Sequence, residues 1–349
     1  MIKRILWAGL ALGPAVIAVD RTSAGPTLVF VLAAVALIPL AWLIGEATEH
    51  AAHHTGPGIG GFLNASFGNA PELIIALFAV HEGLPDVVRG SLVGSVVGNL
   101  MLVLGFSLFF GGRGALDRQS TFVSLGLVAA AAALFLIPAI PSWGDGDPER
   151  HSLAITTIPV AVVLLGLYVV VTVQALRRHR DLHVSDEAAE MGAWSLRTSL
   201  LALGLATVVT AFVAEALTGS VDEFAEKAGL PEFFVAAIVV AIVGNAAEHG
   251  GAVIVAARGK IKLACEIALA SSAQVAVFLI PAVAVLSWAV SPALPLSFRP
   301  VEMASLAIAI GLVTTLLWQA RSARWRGVAL IAVYVGIAVW FFLAGDRGG

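Results

Sequence analysis

Runs of roughly 20 mostly apolar residues, each long enough to cross a bilayer as a helix, follow one another along almost the whole chain. Eleven can be read, at about 5–20, 26–50, 59–80, 84–112, 120–141, 152–176, 194–218, 231–257, 262–290, 299–320 and 326–344. Clusters of Gly, Pro and charge separate them, such as "GGRGALDRQ", "PSWGDGDPERH" and "SPALPLSFRP". Only 12% of the residues are charged and the mean hydropathy is +0.95, whereas a soluble domain carries about 25% charged residues. The expectation is an all-α polytopic membrane protein with 11 transmembrane helices. The first run follows Lys3 and Arg4 like the core of a signal peptide. Asp20 and Arg21 come next instead of a small-residue cleavage site, so it reads as a retained span.

Lys and Arg set the expected orientation. With the N-terminus in the cytoplasm, 14 of the 20 basic residues face inward, among them Lys3, Arg4, Arg113, Arg118, Arg197, Lys262, Arg321, Arg324 and Arg326. Arg21, Arg89, Arg150, Lys227, Arg299 and Arg347 fall outside. This predicts an integral protein of a prokaryotic cytoplasmic membrane, N-terminus in and C-terminus out. A net charge of −3 without a broad basic patch argues against nucleic acid as a partner. Cys265 is the one cysteine, which excludes a disulfide framework and a four-cysteine zinc site. No sequence feature supports an oligomer.

Within the third run stands "GNAPELIIA", residues 68–76, and far downstream "GNAAEHGGA", residues 244–252. Displacing the sequence by 176 residues lays Gly68-Asn69-Ala70 on Gly244-Asn245-Ala246 and Glu72 on Glu248. The same displacement lays Glu46 on Asp222, Gly83 on Gly259 and Ser95 on Ser271. The chain thus divides into an N-terminal helix (1–25), a first repeat (26–176), a cytoplasmic linker (177–193) and a second repeat (194–349). Five spans per repeat is an odd number, so the second copy crosses in the opposite sense. Such inverted repeats are characteristic of secondary transporters, with the site near the midplane where the repeats meet.

An acid at mid-bilayer is costly and marks a functional candidate. Two carboxylates sharing a dry site cannot both stay ionised without a partner. Two protons or one divalent cation neutralise them, and the two loads exclude each other. That is the minimal physics of a proton-coupled divalent-cation exchanger. In a continuous helix Asn69 and Glu72, like Asn245 and Glu248, would share one face at i, i+3. Their oxygens suit a hard cation such as Ca2+. Gly68 and Gly244 permit close backbone approach. Pro71 either bends its helix or frees a carbonyl one turn earlier. In the spans that follow, Ser91, Ser95 and Asn99, and Ser271, Ser272 and Gln274, are ligand candidates, the serines equally packing candidates. His249 is a proton carrier, an orienting group for Glu248 or a packing residue.

Nearer the faces, Glu46, Glu49, His50 and His53 lie on one side of the second span, and Glu215 and Asp222 lie seven apart at the end of the seventh. These are either access acids or solvated helix ends. A competing reading makes Glu49/His50/His53/His54 the centre of a membrane-embedded metalloenzyme. HExxH would need Glu at 51, where the chain has Ala. A channel with fast uncoupled flux is a third reading.

The two GNAxE motifs, the run "GEATEHAA…GIGGFLNASFGNAPELI", and "AEALTGSVD", "GNAAEH" and "SSAQVAVF" resemble the calcium/proton exchanger family of the cation/calcium exchanger superfamily, over spans 2–11. The resemblance implies a sodium/calcium-exchanger-like fold of two inverted five-helix repeats after an extra first span. It implies an antiporter, with no cofactor, that exports cytoplasmic Ca2+ against H+ by alternating access. Glu72 and Glu248 would ligate the ion, with Asn69 and Asn245 beside them and His249, Ser271, Ser272 and Gln274 completing the second half. Pro71 stands where this family more often has Thr or Ala and is more typical of sodium/calcium exchangers, so sodium coupling is the alternative. The Glu248-His249 pair and the lack of a large cytoplasmic loop favour protons.

Overall fold

The computed structural model describes residues 2–22, 24–144, 146–180, 194–290 and 292–347. Residues 181–193, most of the expected linker, lie outside these. The chain opens with α1 (Ile2–Gly9), α2 (Leu12–Asp20), α3 (Pro26–Phe67) and α4 (Ala70–His81). α5 (Pro85–Val97) passes through a π-helical turn, Gly98–Val103, into α6 (Leu104–Gly111). α7 (Arg118–Ala139) and α8 (His151–Arg180) end the first half. The second half begins with α9 (Leu196–Thr218) and α10 (Val221–Ala228). Next come α11 (Glu232–Phe234), a π segment over Val235–Val240, α12 (Ala241–Gly244) and α13 (Ala246–Ala257). α14 (Ile261–Gln274) continues through a π segment, Val275–Leu279, into α15 (Ile280–Val290). α16 (Pro300–Leu316) and α17 (Arg324–Ala344) close the chain.

Local chemistry starts these helices. Pro26, Pro85 and Pro300 open theirs, where a missing N–H costs nothing. Asp117 and Ser195 cap α7 and α9 by accepting from the Ser120 and Thr198 amides. Burial then sorts them. Every residue from Val87 to Val97 is buried, Arg89, Ser91 and Ser95 included, so α5 is covered on all sides and runs through the centre. In the most apolar stretch of Pro85–Gly111, 83% of residues are buried, against 28% in Arg324–Ala344, whose Val335, Val339 and Leu343 face outward.

The eleven expected spans are not eleven uninterrupted helices. Among the described residues, seven helices are long and apolar enough to cross a membrane, or eight if a bent pair is one span. The run at 5–20 divides between α1 and α2, and 299–320 yields the 17-residue α16. The run at 59–80 does not begin a helix of its own, because α3 continues to Phe67. The run at 231–257 is interrupted at Asn245, and α10 meets the segment after it at 111°. Among the described residues the all-α expectation has one small exception. β1 (Gly114–Ala115) pairs antiparallel with β2 (Arg321–Ser322), pinning the α6–α7 turn to the α16–α17 turn.

The 176-residue displacement reappears in the backbone. α4 and α13 both have 12 residues and begin at 70 and 246, and α5 and α14 begin at 85 and 261. The turns between them use Gly83 and Gly259 at φ +73° and +82°, conformations a side chain would strain.

Candidate functional site

Both motifs sit at breaks between helices. Asn69 (φ −99°, ψ 15°) and Asn245 (φ −94°, ψ 5°) leave helical geometry in nearly the same way, each just before a 12-residue helix. This corrects the expectation of a shared face on a continuous helix. Each Asn is the N-cap and each Glu, Glu72 or Glu248, stands in the first turn. There the positive end of the helix dipole favours a carboxylate. The preceding helices, α3 and α12, end at the same place, where their last carbonyls lack intrahelical partners. Pro71 lies in the first turn of α4, so it bends no helix interior.

An N-cap Asn ordinarily accepts from the amide two or three residues on. Neither does so here. Asn69 Nδ2 donates to Gln274 Oε1 at 3.3 Å, and Asn245 Nδ2 donates to Ser95 Oγ at 2.9 Å and to the Ala241 carbonyl at 2.9 Å. Each break is therefore tied to the second helix after the other break, Asn69 to α14 and Asn245 to α5. Asn99 Nδ2 donates to Ser271 Oγ at 3.1 Å, and Ser271 Oγ donates to Glu248 Oε2 at 2.6 Å.

The Glu72 side chain is only 7% exposed. It reaches the opposite motif, where a Cβ built on Gly244 would lie 3.3 Å from Glu72 Cγ. Close approach is thus what Gly244 permits. Glu72 Oε2 and Asn245 Oδ1 are buried acceptors without a protein donor. Together with Glu248 they are the oxygens available to a hard cation. His249 is mostly buried, its Nε2 without a protein partner. Two candidates turn away: Ser91 and Ser272 donate to the Val88 and Ala268 carbonyls of their own helices.

The outlying acids are not gathered into this site. Glu46 takes a 2.6 Å bond from Lys3 Nζ and lies 3.8 Å from His50 Nε2. His50 stacks on Trp194, and His54 Nε2 meets the Trp194 carbonyl at 2.7 Å. Glu49 and His53 are exposed. Among the described residues no group of three or more His, Cys, Asp or Glu could hold a metal ion. Glu215 is exposed on α9. Asp222 lies on the separate α10 and not at the end of the same span, which corrects that expectation.

Two features escaped the sequence reading. One is the pair of π segments, 98–103 and 275–279, which follow Ser95 and Ser271 at nearly the same displacement. The other is Arg89, read only as an external basic residue. It is 1% exposed and bonds Asp86 at 2.7 Å, Glu149 at 2.8 Å and Ser297 Oγ at 3.0 Å. Arg347 joins it through Ser297 and Glu149. The signal was available, since an arginine inside "DVVRGSLVG" calls for acidic partners.

Comparison with known proteins follows the same lines. The sequence profile described as sodium/calcium exchanger protein matches residues 25–177 and 198–343. The chain is 38% identical over 324 residues to the Ca(2+)/H(+) antiporter ChaA of Bacillus subtilis (strain 168), covering 90% of this chain and 92% of that one. It is 35% identical over 345 residues to a Ca(2+)/H(+) antiporter of Synechocystis sp., covering 91% of each. The solved structure of native YfkE superposes with a TM-score of 0.82 at 34% identity, over 97% of this chain and 99% of that one.

Proposed function

Because the chain belongs to the sodium/calcium exchanger protein family, in its calcium/proton exchanger branch, we propose that it is a proton-coupled antiporter exporting cytoplasmic Ca2+ in exchange for H+. The observation that carries this reading is the meeting of the two motifs. Glu72 lies against the backbone of Gly244, and Asn69 and Asn245 each bond across to the opposite half. Ca2+ enters between the carboxylates of Glu72 and Glu248. The Asn245 amide oxygen and carbonyls from the broken helix ends complete its shell. Protons on the same carboxylates neutralise the site when the ion has gone, so one load displaces the other. His249 passes or orients those protons. Alternating access carries either load across, and the cycle uses no resident cofactor.

The architecture that goes with this reading has eleven crossings, N-terminus in and C-terminus out, in a prokaryotic cytoplasmic membrane. An N-terminal helix over 1–25 precedes inverted repeats over 26–176 and 194–349, joined by the 177–193 linker. The matched lengths and starts of α4 and α13 support the repeat. Glu46, Glu49, Glu215 and Asp222 then act as access acids toward the two faces.

The test is Ca2+ uptake by proteoliposomes of the full chain. An imposed pH gradient should drive uptake and a protonophore should abolish it. Uptake driven by a sodium gradient, and indifferent to pH, would replace protons by sodium in the cycle. Fast flux needing neither gradient would replace the antiporter by a channel.

A further inference from the structure

Away from the motifs, the β1–β2 corner carries a concentration of arginine and tryptophan that Ca2+/H+ exchange does not use. Two recesses adjoin there. One, of about 550 Å3, lies between the end of α16 and the start of α17, with Trp325, Arg326, Thr315 and Gln319 in its wall. The other, of about 490 Å3, lies against the start of α7, with Arg118, Gln119 and Phe122. The Trp318 indole belongs to both. Neither recess has an acidic residue in its wall.

The cations are held in place but not neutralised. Arg118 lies 5.8 Å from the Phe122 ring centroid and 5.9 Å from that of Trp318. Arg326 lies 5.5 Å from the Trp325 ring, its Nη1 donates to the Arg321 carbonyl, and its buried Nε has no protein acceptor. The adjacent acid, Asp117, is engaged elsewhere. The Ser120 amide and the Lys262 ammonium hold its carboxyl below the ordinary aspartate range. Arg113, Arg321 and Arg324 stand exposed around the same corner.

The platform beneath is fixed. Ser322 Oγ donates to the Gly112 carbonyl at 2.8 Å, and the Leu116 amide donates to the Ala320 carbonyl at 2.8 Å. Ala320 is held at φ +50°, the one positive-φ non-glycine among the described residues. Strain of that kind persists only where the surroundings over-determine it, and it gathers at recognition sites.

Exposed tryptophans beside arginines at a helix end are the composition of a membrane–water boundary. A basic recess at that depth suits a lipid phosphate, because guanidinium forks pair with phosphate oxygens. We infer that the recesses divided by Trp318 bind the head group of an anionic phospholipid, with Arg118 and Arg326 as its phosphate ligands. Gln119, Thr315 and Gln319 meet the glycerol and ester oxygens, and the acyl chains descend along the apolar flanks of α7 and α17.

Native mass spectrometry of the detergent-purified full chain, titrated with phosphatidylglycerol or phosphatidylcholine, tests this. The wild type should retain phosphatidylglycerol and not phosphatidylcholine. Arg118→Gln with Arg326→Gln should weaken retention roughly 25-fold, about fivefold per arginine. Arg197→Gln with Arg258→Gln, which removes the same charge elsewhere, should leave it intact. Equal retention of both lipids, or an equal loss in both double variants, would overturn the site. Displacement by millimolar inorganic phosphate would overturn its assignment to lipid. A second measurement does not depend on the arginine variants. Brominated phosphatidylglycerol in reconstituted vesicles should quench tryptophan emission more than brominated phosphatidylcholine does. That excess should vanish in Trp318→Phe/Trp325→Phe, and its persistence would count against the proposal.

Discussion

The two motif copies share a backbone and differ in almost everything around it. Their asparagines break the helix within 10° of one another in both φ and ψ, and 12 residues of helix follow in each. Yet Glu248 is held by Ser271, whereas Glu72 rests against Gly244 with one oxygen unpartnered. Asn69 is tied to an amide and Asn245 to a hydroxyl. Leu73 in the first copy corresponds to His249 in the second. Upstream, α3 runs unbroken into its motif, while the corresponding stretch of the second half turns through 111°. Gly-Asn therefore marks the break in both copies, and the non-identical neighbours give the two carboxylates different surroundings.

If both carboxylates serve one ion, removing either charge should have the largest effect. Glu72→Gln and Glu248→Gln are each expected to reduce pH-driven Ca2+ uptake in proteoliposomes by more than about 100-fold, the loss of one charge-assisted contact or more. Normal uptake in either variant would break the pairing.

The ends of the molecule offer a second contrast. Arg89 is buried among Asp86, Glu149 and Ser297, while the residue at its displaced position in the second half is Cys265. Arg89→Met strands two acids in a partly dry setting and should cost about 3 kcal/mol of stability, measured as the unfolding free energy in detergent. Lys262→Met removes an exposed partner of Asp117 and should leave the unfolding midpoint unchanged. A smaller effect is expected at the site. Ser271→Ala loses a bond to a carboxylate and should lower uptake at limiting Ca2+ about tenfold, a hydrogen bond to a charged group being worth about 1.5–3 kcal/mol. Ser95→Ala loses a bond to a neutral amide and should cost about fivefold. Equal losses would mean that the network, and not the individual partner, sets the affinity.

What the sequence disclosed depended on the range of the interaction that produced it. Hydropathy is written locally, so a chain of apolar helices could be read, though not where each helix begins and ends. The motif pair could be read because Gly-Asn-Ala-x-Glu is too specific to recur by chance at one displacement. The crossed bonds from Asn69 to Gln274 and from Asn245 to Ser95 join residues 205 and 150 positions apart, and no local pattern marks them. The helix breaks were hidden for a different reason. Apolar residues continue through Gly68 and Gly244, so hydropathy sees one run where the backbone makes two helices. Gly94 shows the same limit. A Cβ there would lie 2.0 Å from the Ala237 carbonyl oxygen, and that requirement comes from the π segment over Val235–Val240 packing against α5.

Pro71 separates cause from accompaniment in the first break. Proline lacks an amide and would free a carbonyl if it stood inside a continuous helix. The second copy is the control, since Ala247 occupies the same position and Asn245 breaks the helix in the same way. The break therefore does not need proline. In the first turn of α4 the missing N–H would have had no intrahelical partner anyway. What proline adds there is a restricted unfolded chain, worth about 0.4–1 kcal/mol. Pro71→Ala should thus lower stability by about that amount, leave Ca2+ uptake within about twofold of wild type, and leave its dependence on the pH gradient unchanged. A change of coupling ion in this variant would show that the residue at this position selects protons over sodium, and the equivalence of the two breaks would end at the backbone.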